Sequence, residues 1–75
     1  MTREQCRAAR ALLGWTLQDL SERAEVGTTT IQNFETGKSA PRRATVKALQ
    51  SALEHGGVEF TNGGQPGLRL TKPRE

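Results

Sequence analysis

Seventy-five residues make one domain with a small core, since a chain of this size buries only about 60% of the surface it exposes unfolded. Eleven Lys and Arg against eight Asp and Glu leave a net charge of +3, which favours acidic partners such as nucleic acid without requiring one. One cysteine, Cys6, excludes an internal disulfide and a Cys-based metal cluster. The arginines of the first 13 residues leave no apolar signal-peptide core, and no apolar run nears the roughly 18 residues of a membrane span.

The expectation is a soluble, cytoplasmic protein with no membrane contact, cofactor or metal. In chain order, Thr2 with Gln5 three residues later is a capping-box signature. Arg3 to Leu13 is rich in good helix formers, with Cys6, Ala9 and Leu13 on one apolar face and Gly14 as a left-handed stop. Thr16 begins a second helix as its N-cap, with Asp19 suited to the dipole of the first turn and Leu17, Leu20 and Ala24 facing inward. After the tight break Glu25-Val26-Gly27, a third helix runs from about Thr28 to Glu35, with Ile31 and Phe34 inward.

Thr36 to Ala40 reads as a loop, and Pro41 suits the first turn of a fourth helix that carries Val46, Leu49 and Leu53 and ends at Gly56-Gly57. The period then changes to two. Val58 and Phe60, then Leu68 and Leu70, alternate with polar residues and predict two short strands. Between them the Asn62 to Gly67 stretch is too long for a two-residue turn, and Lys72 to Glu75 should fray. The chain divides into residues 1–57, a helical domain, and residues 58–75, a β extension.

The chemistry concentrates between Leu17 and Thr36. Two short helices joined by a three-residue break need a small side chain where they cross, and Ser21 supplies it. With the second helix wedged in place, the third turns Thr28, Thr29, Gln32 and Asn33 outward. Three successive threonines are poor helix formers, so packing or function must justify them. Amides read adenine edges bidentately, and threonine offers a hydroxyl to a base edge and a methyl to thymine. Basic residues follow at once: Lys38, Arg42, Arg43 and Lys47 fall in a run without an acid. Such a face suits the major groove, with Lys38, Arg42 and Arg43 as candidate phosphate contacts.

Arg7 and Arg10, Gly14-Trp15-Thr16, Leu20 to Ala24, Val26 to Ile31, Phe34 to Lys38 and Pro41 together resemble the lambda-repressor/Cro-like (XRE) helix-turn-helix family. The resemblance spans about Cys6 to Leu53. It implies a mainly α, four-helix lambda-repressor-like domain, here followed by a short pair of β-strands. It also implies that Thr28, Thr29, Gln32 and Asn33 contact base edges. The start of the second helix, Thr16 to Gln18, and the Lys38-Ser39 loop would hold phosphates. An ion pair between Arg10 and Glu35 would tie the first helix to the end of the recognition helix. Two departures stand out. Glu25 occupies a position where the family has a positive-φ glycine, at a cost of about 1 kcal/mol unless the turn shifts or Gly27 carries it. Leu17 stands where a phosphate-touching Gln is usual.

Other motifs read as structure. Trp15 should plug the core against the fourth helix, and Cys6 should be a small buried hydrophobe. His55 sits near a helix C-terminus without a partner in sequence. Gly37-Lys38-Ser39 lacks the earlier glycine and the strand of a phosphate-binding loop. Asp19, Glu22 and Glu25 have no convergent base, nucleophile or metal, which argues against an enzyme.

An isolated hairpin is marginal, so Val58, Phe60, Leu68 and Leu70 should cover the fourth helix, a second subunit, or both. Related repressors bind as dimers on half-sites about 34 Å apart. The favoured expectation is therefore a homodimeric repressor of double-stranded DNA with a palindromic operator. The alternative is an antitoxin-like adaptor whose apolar strands add to a partner protein's sheet.

Overall fold

The computed structural model describes residues 1–61 and 67–71; of the predicted loop at 62–67, Gly67 instead opens the second strand, while 62–66 and the predicted frayed end at 72–75 lie outside the described residues. Four helices lead into a two-stranded sheet: α1 (Arg3–Leu13), α2 (Leu17–Ala24), α3 (Thr28–Glu35), α4 (Arg43–Gly56), β1 (Val58–Thr61) and β2 (Gly67–Leu70). Thr2 closes a full capping box with Gln5 at the start of α1, and Thr16 closes a second with Asp19 at the start of α2. Each satisfies amides that a helix start leaves without partners. Gly14 ends α1 at φ 70.

The break between α2 and α3 is where the sequence left alternatives open. Glu25 itself adopts the left-handed conformation, φ 57 and ψ 43, and its amide donates to Ser21 O to cap α2. Gly27 carries none of this load; at φ −61 it is an ordinary extended N-cap for α3. Pro41 also falls elsewhere than expected, just before α4 rather than in its first turn. Arg42 is the extended N-cap, and the first helical bond runs from Val46 N to Arg42 O at 3.1 Å.

Cys6, Ala9, Leu13, Leu20, Ile31, Leu49, Ala52, Leu53 and Val58 form the core, one contribution or more from every helix and from β1. Burying a side chain the size of Leu20, Ile31, Leu49 or Leu53 stabilises by about 1.5–3 kcal/mol, so these four set the angles between the helices. Trp15 packs over the end of α4, as expected. A Cβ at Gly56 would come within 2.6 Å of its Cη2 and Cζ2, so only glycine leaves room for the indole. Arg23, from the last turn of α2, covers the ring at 4.4 Å from its centre.

The two strands pair antiparallel within the chain, Val58 with Leu70 and Phe60 with Leu68. That register puts all four apolar side chains on one face of the sheet, while Glu59 and Arg69 form an ion pair on the other. Phe60 and Leu68 pack against the core edge. Val58 is spent there, only 2% exposed, so it has no surface left for a second chain, whereas Leu70 is 37% exposed.

Candidate nucleic-acid interface

α3 is anchored on one side and open on the other. Ile31 and Glu35 are buried and Phe34 is half-buried, which fixes the inward face. Thr29 and Gln32 are exposed at the middle of the opposite face, with Thr28 and Asn33 half-buried at its flanks. Thr30 is exposed as well, although periodicity alone does not single it out. Thr36 continues the row below Gln32, but its hydroxyl donates back to Gln32 O at 2.9 Å. The result is a strip of hydroxyls and amides without a single charge, held on a helix that the core positions.

Its orientation depends on Glu35. Arg10 clamps this carboxylate with two parallel bonds, Nε to Oε2 and Nη2 to Oε1, both 2.8 Å. The side chains are 17% and 5% exposed, so the partly buried pair implied by the family resemblance is present. Two further contacts were not legible in sequence. The Cys6 thiol donates to Glu35 Oε2 at 3.4 Å, and Arg10 Nη1 donates to Trp15 O at 3.0 Å, just ahead of the α2 cap. One guanidinium thus ties α1 to the start of α2 and the end of α3. Hydrogen bonding to Glu35 raises the Arg10 pKa further.

The expected phosphate-binding residues flank the strip on two sides. On one side, Thr16 Oγ1 accepts from Asp19 N at 3.0 Å. Asp19 in turn accepts from Thr16 N at 2.9 Å. That bond to the Thr16 backbone, aided by the Thr16 hydroxyl and by Arg23, holds the Asp19 carboxyl below its ordinary range. Gln18 donates to Glu22 at 3.0 Å along α2. A phosphate approaching this end must therefore use the first amides of α2 and the Thr16 hydroxyl against two nearby carboxylates. On the other side, Lys38 N and Ser39 N both donate to Asn33 O, at 2.8 and 3.2 Å. The backbone that carries their exposed side chains is thereby held against the end of α3. Arg42 and Arg43 are exposed at the start of α4.

Gln5 is the structural residue that sequence reading undervalued. It is 3% exposed, and its Oε1 completes the α1 capping box from Thr2 N at 2.8 Å. Its Nε2 donates to Thr61 O and Gly67 O, at 3.3 and 2.8 Å, at the pair where β1 ends and β2 begins. A capping glutamine was foreseeable; its second partner, more than fifty residues away, was not.

Among the described residues no group of three His, Cys, Asp or Glu could hold a metal ion, and no helix is long and apolar enough to cross a membrane. Two short helices at a sharp turn, the second projecting an uncharged polar strip that is followed by the exposed cations Lys38, Arg42 and Arg43, define a helix-turn-helix domain. A family model described as helix-turn-helix matches residues 7–54, and the chain belongs to the lambda-repressor/Cro-like (XRE) family of DNA-binding regulators. A search of curated proteins finds no match.

Proposed function

We propose that the protein is a sequence-specific repressor of double-stranded DNA that lays α3 in the major groove and acts as a homodimer on a palindromic operator. The observation that carries this reading is the exposed strip around Thr29 and Gln32, set rigidly by the Arg10–Glu35 clamp. Thr28, Thr29, Gln32 and Asn33 contact base edges; Thr16, Gln18, Lys38, Ser39, Arg42 and Arg43 face the phosphates. Repression follows from occupancy, since a bound dimer obstructs a promoter. Phe60, Leu68 and Leu70 keep apolar surface, and together with the outer side of α4 they supply a self-complementary contact.

Selection from a random duplex pool at moderate salt tests both parts. A palindromic winner with half-sites about one helical turn apart supports the dimer. Gln32→Ala should then relax preference at one base pair by about 1–3 kcal/mol, and Lys38→Ala should weaken all duplexes alike and lower the salt slope by about one. An unchanged preferred sequence in Gln32→Ala refutes that base contact. A monomer in sedimentation at tens of micromolar, with the selected duplex present, refutes the dimer.

A further inference from the structure

Arg3, Arg7 and Arg10 stand at i, i+4 and i+7 on α1, so they share the flank that meets the end of α3. Arg10 is committed to Glu35. The other two have no such acid. Arg3 Nε donates to its exposed neighbour Glu4 at 3.0 Å, and among the described residues its two terminal nitrogens have no acceptor. Arg7 is exposed and has no hydrogen bond or ion pair among the described residues.

What places Arg3 is a glycine. Gly37 is left-handed at φ +79, and a Cβ there would collide with Arg3 Nη1 and stand 2.6 Å from Arg3 Cζ. The guanidinium fills the space that a side chain at Gly37 would take, against the backbone of the loop that presents Lys38 and Ser39. A cation packed onto bare backbone, with four donors unused and no buried carboxylate beside it among the described residues, is arranged for an anion that comes from outside.

We infer that Arg3 and Arg7 form a second cationic strip, contributed by α1, which binds the phosphodiester backbone of the duplex next to the Lys38-Ser39 loop. The inference rests on the DNA-binding reading above and extends the backbone footprint to a helix outside the two-helix motif. Phosphate is the fitting ligand because the fork of a guanidinium matches two of its oxygens. The contact carries no sequence information. It sets how α3 sits in the groove, through the same helix that Arg10 clamps to Glu35.

Fluorescence anisotropy of the full chain, with the selected duplex and a scrambled one between 50 and 200 mM salt, tests this. Two lost phosphate contacts lower the salt slope by about 1.8, so wild type should lose about tenfold more affinity over that range than the Arg3→Gln/Arg7→Gln variant. The loss should be equal for both duplexes, with base preference unchanged, and Arg3→Lys should keep most of the slope. Both side chains are exposed, so circular dichroism should show the variant folded. An unchanged slope in the folded double variant overturns the inference and leaves the DNA reading standing, as does a loss confined to the selected duplex. A wild-type chain that binds neither duplex overturns the DNA reading itself.

Discussion

The Cys6 thiol donates to the same Oε2 of Glu35 that Arg10 Nε holds, so a small buried hydrophobe and a nearly buried ion pair share one oxygen. This junction joins α1 to the end of the recognition helix. A buried pair of this kind fixes geometry more than it adds net stability, because desolvation offsets most of the attraction. Breaking one half is a different matter.

Arg10→Ala should cost about 3 kcal/mol in urea unfolding, because Glu35 would be left in a site only 5% exposed with a thiol as its remaining partner. Arg10→Met with Glu35→Leu should recover most of that stability. It should not recover full duplex discrimination, since an apolar contact does not set the helix angle as two parallel hydrogen bonds do. A loss in the double variant equal to the sum of the Arg10→Met and Glu35→Leu single losses would mean that the pair carries no coupling.

Cys6 should be inert to a thiol-reactive disulfide reagent at pH 8 in the folded protein and should react at once in urea. Burial, reinforced by the Glu35 charge, pushes its pKa up to about 12, against about 8.5 for an unperturbed thiol. A folded-state value raised in this way gives stability that is fully present below the unfolded value. It is then lost as pH rises from about 8.5 towards 12, so urea midpoints should fall over that window. Cys6→Ala should show a smaller fall.

Glu25→Gly should stabilise the protein by about 0.5–1 kcal/mol, since it removes the strain of a non-glycine residue at φ 57 but loosens the unfolded chain. The same change at the turn should leave the salt slope of duplex binding unaltered. Gly27→Ala tests the neighbouring position. A Cβ there meets nothing within 4 Å, so its cost should stay near about 0.5 kcal/mol, the loss of a favoured N-cap residue. A larger penalty at Gly27 than gain at Glu25 would reverse the assignment of strain.

Gln5→Ala should cost about 2 kcal/mol, for it removes the reciprocal half of a capping box and two donors to hairpin carbonyls. Gln5→Glu separates the roles. It keeps an acceptor for Thr2 N but sets a carboxylate against Thr61 O and Gly67 O. Amide exchange should therefore speed up in β1 and β2 while the start of α1 stays protected. Protection retained in the hairpin would show that apolar packing alone holds it down.

Much of this was already readable. Local rules placed the helices within a residue or two: a threonine with an acceptor three residues on, a glycine past the last apolar position, a switch from helical to alternating period. They predicted the core face of α1 and the polar strip of α3 for the same reason, because a helix sorts its residues by angle. They failed at Pro41 by two residues, where nothing local distinguishes a first-turn proline from one preceding an extended N-cap. The Arg10–Glu35 pair came from family likeness, since no periodicity links residues on different helices.

Which residues can be buried, where each helix can start, and which side chains are left to meet a partner all depend on neighbours within a turn or two, and so are written in the chain. That Glu25 bears the positive φ, that Gln5 reaches the hairpin, that Cys6 shares an oxygen with Arg10, and that Arg3 rests where Gly37 has no side chain emerges only on folding. Those outcomes depend on distances between elements. Such distances are set when Leu20, Ile31, Leu49 and Leu53 pack together, a collective fit that no short stretch of chain encodes.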